Sequence, residues 1–249
     1  MMMIGAFLMK KIDAYWEQQN LNKKVLEIEF DVEDSISCLG ALEDDYLSYE
    51  YIVAKVPKLK MDFVHKLEET GFRFMETQIE MTLNLKKFVK SSTYSSKLQF
   101  QTVESIEQLE ELLSHIDKTL FITDRISLDP LLGIDFAHKR YSNWIKAGFL
   151  NEDTLIIEVV KKTDKIGFFY LTKKDNKIIQ AVLVSVYKNF RRRGIGLNFL
   201  EEICYWLVEE GYRKVNTRVS SNNLEALRAN LSVGFEIKEI YYILRKITR

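Results

Sequence analysis

The chain has few cysteines, few prolines, no charge excess and no long apolar run, and each shortage excludes something. Two cysteines in 249 residues, Cys38 and Cys204, lie far apart and match no zinc-binding spacing. A disulfide-stapled fold is therefore not expected, and a reduced cytoplasm is the simplest setting. Cys204 falls on the apolar face of a predicted helix and reads as a small buried hydrophobe. Pro57 and Pro130 are the only prolines and glycine is sparse, which leaves no low-complexity tract. Lysine and arginine total 36, as do aspartate and glutamate. A net charge of zero lacks the basic excess that nucleic-acid or acidic-membrane binding needs. Met1 to Met9 is apolar but too short to span a bilayer. It lacks the basic start and small-residue cleavage site of a signal peptide, and no later run reaches transmembrane length.

What is present is patterned. Hydrophobic residues make up 47%, enough for a real core, and the length suits one large domain or two modest ones. Val25 to Phe30 and Tyr49 to Val56 read as strands. Asp62 to Glu69 reads as a helix ended by Gly71, and Phe72 to Leu85 reads as a strand. The serine-rich stretch Lys90 to Lys97 reads as a linker. It divides the chain into 1–97, a small α/β unit, and 98–249. In the second part, Leu98 to Thr102 reads as a strand and Ser105 to Gln108 as a capping box opening a helix. Leu120 to Asp135 is irregular. Ala137, Tyr141, Trp144 and Ile145 then share a helical face. Thr154 to Val160, Lys165 to Leu171 and Lys177 to Val186 read as antiparallel strands. Lys214 to Val219 is a further strand. A short helix with Leu224, Leu227 and Leu231 on one face ends at Gly234, and a last strand covers Glu236 to Arg245. The alternating charges of Lys10 to Lys24 read as a solvated face. His65, His115 and His138 are isolated, and no metal site or triad is expected around them.

The chemistry-bearing stretch is Arg191-Arg192-Arg193-Gly194-Ile195-Gly196, between the strand ending at Val186 and the amphipathic run from Leu197 to Val208. A glycine-bearing turn at a helix start aims main-chain N–H groups at one point, where the helix dipole adds positive potential. Such a junction suits a phosphate or diphosphate, and arginine supplies forked donors. A solvated basic turn is the alternative. The stretch is neither a dinucleotide fingerprint nor a P-loop, since the third glycine and the Gly-Lys-Ser/Thr are missing.

The run Val186 to Gly196 resembles the acetyl-CoA-binding motif of the GNAT acyltransferase superfamily. Asn223, Ala226, Gly234 and Phe235 match its second motif. The resemblance covers the last 150 residues or so and implies a central, mostly antiparallel mixed sheet flanked by helices. It also implies acetyl-CoA as acyl donor, with no metal. Val184, Ser185, Val186, Arg191, Arg192, Arg193, Gly194, Ile195, Gly196, Asn223, Ala226 and Asn230 would contact it, with a main-chain N–H near Val184 to Val186 polarising the thioester carbonyl. Asn230 departs from the pattern, which has a tyrosine there to protonate the departing thiolate. Solvent, or another tyrosine such as Tyr241 or Tyr242, would have to substitute; otherwise the chain binds acyl-CoA with little turnover.

Phe121 to Pro130, Arg140 to Ile145, Lys55-Val56-Pro57 and Gly71 to Glu76 resemble the bacterial TDP-fucosamine acetyltransferase group. That group joins a GNAT domain to a degenerate N-terminal half-domain contributing to the acceptor site. The resemblance implies N-acetylation of a nucleotide-linked amino sugar destined for surface polysaccharide such as lipopolysaccharide. Glu76 would take the amine proton, or be an exposed strand-end glutamate. Asp124, Arg125 and Tyr141 would line the acceptor pocket, with an ion pair and core packing as the plain alternatives. Other amine acceptors, small or protein-borne, and an acyl-CoA-binding regulatory module stay open. A homodimer is compatible with the sequence, which does not fix the oligomeric state.

Overall fold

The computed structural model describes residues 9–89, 98–191 and 195–248. The serine-rich stretch 90–97 and the motif residues Arg192, Arg193 and Gly194 lie outside them. In chain order the elements are β1 (Lys10–Asp13), α1 (Tyr15–Leu21), β2 (Val25–Glu29), α2 (Glu43–Ser48), β3 (Tyr51–Pro57), α3 (Met61–Glu69) and β4 (Arg73–Asn84). Then follow β5 (Leu98–Thr102), α4 (Ile106–Ser114), α5 (Ile134–Phe149), β6 (Thr154–Lys161), β7 (Asp164–Lys173), β8 (Ile178–Val186), α6 (Ile195–Glu209), β9 (Lys214–Ser220), α7 (Leu224–Val233) and β10 (Glu236–Ile247).

All ten strands join one sheet in the order β1-β2-β3-β10-β4-β9-β8-β7-β6-β5. Only β2–β3 and β8–β9 pair in parallel, so the sheet is mixed and mostly antiparallel, as expected. The last strand, β10, lies between β3 and β4. The C-terminal strand thus lies between two strands from before residue 97, and residues on either side of 97 share one sheet.

Strand alternation sends apolar residues to both faces, because helices cover both. On one face, Phe199, Ile203, Cys204 and Leu207 of α6 pack on Phe169, Ile179, Val215 and Met81. On the same face, Phe63, Val64 and Leu67 of α3 pack on Ile52, Ala54, Val56 and Leu244. On the opposite face, Ala137, Tyr141 and Ile145 of α5 and Leu109 and Leu112 of α4 pack on Ile156, Phe168 and Leu183. The Ser105–Gln108 capping box starts α4 as the sequence indicates. Cys204 is buried, and desolvation pushes its thiol up to about 12.

In α7, Leu227 packs on the core while Leu224 and Leu231 are exposed, and the buried residues are Asn230 and Val233. One expectation needs correction: Lys10 to Lys24 is not simply a solvated face. Its α1 buries Glu17 and Asn20, because Arg140 of α5 supplies a partner for Glu17.

Candidate active site

The sheet opens between β8 and β9. The two strands pair only from Ile178/Lys214 to Ala181/Thr217. The cause lies on the other edge of β8, where Tyr170 opposes Leu183 but Leu171 opposes Ala181. Val182 is therefore the extra residue of a β-bulge, which bends and twists its strand. Val182 and Leu183 both pack into the cluster with α5. Thr217 Oγ1 donates to Ala181 O at 3.2 Å, closing the last shared row. Beyond it, the β9-facing edge of residues 182–186 has no strand partner among the described residues. Val184, exposed at 39%, lies on this open stretch.

Among the described residues, Val184, Arg191 and Gly196 of the donor-side motif follow this opening along the chain. Gly196 stands in the first turn of α6, where helical N–H groups lack intrahelical partners. A Cβ added there would meet nothing within 4 Å, so the glycine leaves free space at a helix N-terminus. Arg191 Nε donates to Val186 O at 2.9 Å and its Nη1 to Thr119 O at 3.0 Å, while Nη2 is buried without a hydrogen-bond partner. Arg191 thus ties the loop to the end of β8. On α7, Asn223 Oδ1 accepts from the Ala226 N–H at 3.1 Å and caps the helix. Asn230, 7% exposed, donates to Ala226 O at 2.8 Å. The residues Asn223, Ala226 and Asn230 are therefore linked through their own helix. The open strand edge, the free space at Gly196 and the spare arginine donor fit an extended ligand ending in a diphosphate.

The acceptor-side residues meet at the same end of the sheet. β9 ends at Ser220, opposite Gln78 of β4, and Glu76 lies two residues beyond. The β4–β10 register slips at Met75, with Ile243 opposite Glu76 and Leu244 opposite Phe74. Glu76 is 4% exposed, and its Oε2 has no hydrogen-bond partner among the described residues. Burial raises its carboxyl above the ordinary value; the Ser220 side chain and Arg125 act against this, and Asp124 adds to it. The exposed-glutamate alternative is thereby removed.

Asp124 and Arg125 sit in the segment before α5. Asp124 accepts from the Tyr141 hydroxyl and lies 3.7 Å from Arg140 Nη1. Arg125 Nη2 pairs with Glu27 Oε1 of β2 at 3.0 Å. Although burial opposes its charge, Glu27, Tyr51, Glu17 and Glu76 together outweigh burial and hold the guanidinium ionised. Tyr141 is a core residue with a polar tip, and burial lifts its phenol well above the ordinary value. Nearby, Arg245 holds Asp129 with two bonds of 2.8 and 3.0 Å. The neighbourhood holds five carboxylates (Glu17, Glu27, Glu76, Asp124, Asp129) against three guanidiniums (Arg125, Arg140, Arg245). This balance favours a cationic visitor.

Glu17, Glu27, Arg140, Asp129 and Arg245 were not singled out from sequence. Arg140 carried a signal: it falls within the buried stripe of α5, between Ala137 and Tyr141. An arginine in an apolar stripe needs a buried partner. The proposed substitutes for Asn230 are placed differently. Tyr242 packs with the cluster under α3, and the Tyr241 ring lies 4.1 Å from the Lys55 ammonium.

Residues 121–235 match the acetyltransferase (GNAT) family. The spore coat polysaccharide biosynthesis protein SpsD of Bacillus subtilis (strain 168) is 20% identical over 237 residues, 92% of this chain and 80% of that protein. The GCN5-related N-acetyltransferase from Sphaerobacter thermophilus superposes with a TM-score of 0.64 at 14% identity, covering 97% of this chain and 76% of that one. A GCN5-related glucosamine N-acetyltransferase region of a fungal multi-domain GH3 beta-N-acetylglucosaminidase gives a TM-score of 0.62 at 14% identity, covering 96% and 31%. Residues 121–235, just under half of the chain, thus match a GNAT acetyltransferase domain, and the solved structures show a shared fold.

Proposed function

We propose that the protein transfers the acetyl group of acetyl-CoA to the amine of a nucleotide-linked amino sugar, in the cytoplasm, as a step toward a surface polysaccharide. The observation that carries this reading is the buried Glu76 carboxyl, with an unpartnered oxygen, at the open end of the β8–β9 pair. The polysaccharide role printed in the name of SpsD, and the glucosamine acceptor printed for the fungal region, favour a sugar.

Acetyl-CoA supplies the thioester acetyl group. The unpaired edge of residues 182–186 would hold its chain, and a main-chain N–H near Val184 to Val186 would stabilise charge on the carbonyl oxygen. The N-terminus of α6, with Gly196 and the loop from Arg191, would take the diphosphate. Glu76 would receive the proton of the acceptor amine. A raised carboxyl suits that task, because a stronger base draws the proton better near neutral pH. Asp124, Arg125 and Tyr141 would orient the acceptor, and residues 1–97 contribute Glu17, Glu27 and Glu76 to its surroundings. Asn230 lacks a proton to give, so the thiolate would be protonated by solvent.

Incubation with acetyl-CoA and a panel of TDP-linked amino sugars, reading free thiol, tests this. Thiol release with a TDP-amino sugar above that with polyamines, amino acids or peptides is expected. No release with any amino sugar would overturn the assignment, and tight acetyl-CoA binding without release would indicate a regulatory acyl-CoA module.

A further inference from the structure

Beyond Glu76, the same face of the sheet carries further polar side chains to which the sequence reading gave no individual role. Ile243 of β10 lies between Lys55 of β3 and Glu76 of β4. The next row on this face runs Tyr241, Gln78, Ser220, and the one after that Glu239, Glu80, Arg218. Strand alternation puts Lys55, Tyr241, Glu76, Gln78 and Arg218 on one side. Helix α1 covers this face at Val25, Tyr51, Val53 and Ile243. Past Ile243 the surface opens, with Tyr241 half-buried and Arg218 exposed.

Lys55 is unusual there. It is 8% exposed, its ammonium lies over the Tyr241 ring, and Glu29 Oε1 is 3.2 Å away. Arg218 reaches Glu80 only at 3.5 Å, and Glu80 is held more closely by Lys238 at 2.9 Å. Burial lowers the Lys55 ammonium below its ordinary value, and Arg218 lowers it further. The two cations thus share one face, where Arg218 disfavours the Lys55 charge and Glu29 and Glu80 partly offset this; an anion held between them would relieve the remainder. Next to them, at Glu76 and Asp124, carboxylates predominate. The face is bipolar, and β3 and β4 are two strand spacings apart, about 10 Å, enough for one sugar ring.

We infer that Lys55 and Arg218 hold the phosphate attached to the acceptor sugar while Glu76 receives its amine. This assignment rests on the acceptor reading above and specifies how that acceptor is oriented: its anionic end between Lys55 and Arg218, its amine at Glu76. Tyr241 offers the ring an aromatic surface.

The test compares a TDP-linked amino sugar, the same amino sugar without nucleotide, and TDP alone. With wild type, TDP competes with the TDP-linked sugar, whose kcat/KM exceeds that of the free sugar. Lys55→Met and Arg218→Gln each reduce this preference about tenfold or more and weaken TDP inhibition to a similar extent. Lys55→Arg restores most of both. Calorimetric binding of acetyl-CoA confirms that each variant is folded. An equal loss for the linked and free sugars, or TDP inhibition unaltered in both variants, would overturn the inference. A wild type that acetylates neither sugar yet binds TDP through Lys55 would remove the acceptor reading and keep the anion site.

Discussion

Arg140 of α5 donates from Nε to Glu17 Oε1 of α1 at 2.7 Å, across 123 residues of sequence, and both side chains are at most 5% exposed. The pair fastens the first helix to the acetyltransferase domain. Glu17→Gln leaves the buried guanidinium with only the more distant Asp124, 3.7 Å away, as counter-charge and is expected to cost about 3 kcal/mol. Urea unfolding at neutral pH measures this. Although burial pushes the Glu17 carboxyl up, Arg140, aided by Arg125 and Asn20, outweighs it and holds the carboxyl below its ordinary value. The folded state therefore binds the Glu17 proton more weakly than the unfolded chain does. The pair's contribution is full above the unfolded value near 4.5 and is lost as pH falls through the lower folded one. Wild type should lose more stability than Glu17→Gln on acidification across that window.

Gly196 separates a ligand effect from a folding effect. A Cβ there meets nothing within 4 Å, so Gly196→Ala should stabilise α6 by about 0.5–1 kcal/mol. Gly196→Trp should leave the fold intact while filling the space at the helix start. Acetyl-CoA affinity is expected to fall about tenfold or more, with the thermal midpoint of the free protein little changed.

Gly167 behaves in the opposite way. Its Cβ would stand 2.2 Å from Ser185 O and 2.9 Å from the Phe199 ring. The first is backbone on the strand that opens, and Phe199 is stacked on Phe169 at 4.5 Å, so neither yields cheaply. Gly167→Ala is expected to destabilise by about 3 kcal/mol, read as a lowered urea midpoint, and to weaken acetyl-CoA binding because the bulged end of β8 must shift.

The strand and helix pattern was legible because period and punctuation agreed. The capping box at Ser105, the break at Gly71 and the stop at Gly234 all stand where the sequence puts them. What stayed hidden was long-range. Nothing local says that β10 inserts between β3 and β4, or that a charged segment such as α1 buries Glu17 against an arginine 123 residues on. In α7 the leucine period does not show which residues are buried: Leu227 packs on the core, whereas Leu224 and Leu231 are exposed. There the polar Asn230 satisfies itself on Ala226 O and so can be buried. The surroundings of Glu76 likewise depend on residues from β2, β10 and α5, which only the assembled sheet brings together.

Asn230 should matter little to the chemical step. Its amide donates to Ala226 O and has no proton to transfer. Asn230→Ala is expected to reduce kcat less than about threefold, whereas loss of a positioned general base costs about a hundredfold or more. Steady-state kinetics at saturating acetyl-CoA compares the two directly. A drop for Asn230→Ala as large as for a Glu76 variant would place Asn230 in the reaction.

The central claim is that Glu76 takes the acceptor's proton. The most direct test is thiol release from acetyl-CoA with a TDP-linked amino sugar, followed across pH for wild type and Glu76→Gln. Wild-type kcat/KM should fall on acidification with an apparent pKa above the ordinary carboxylate value, since burial raises Glu76. Glu76→Gln should lose about a hundredfold or more in kcat and lack that acid limb, while still binding acetyl-CoA. Turnover within a few-fold of wild type, with the same acid limb, would contradict it.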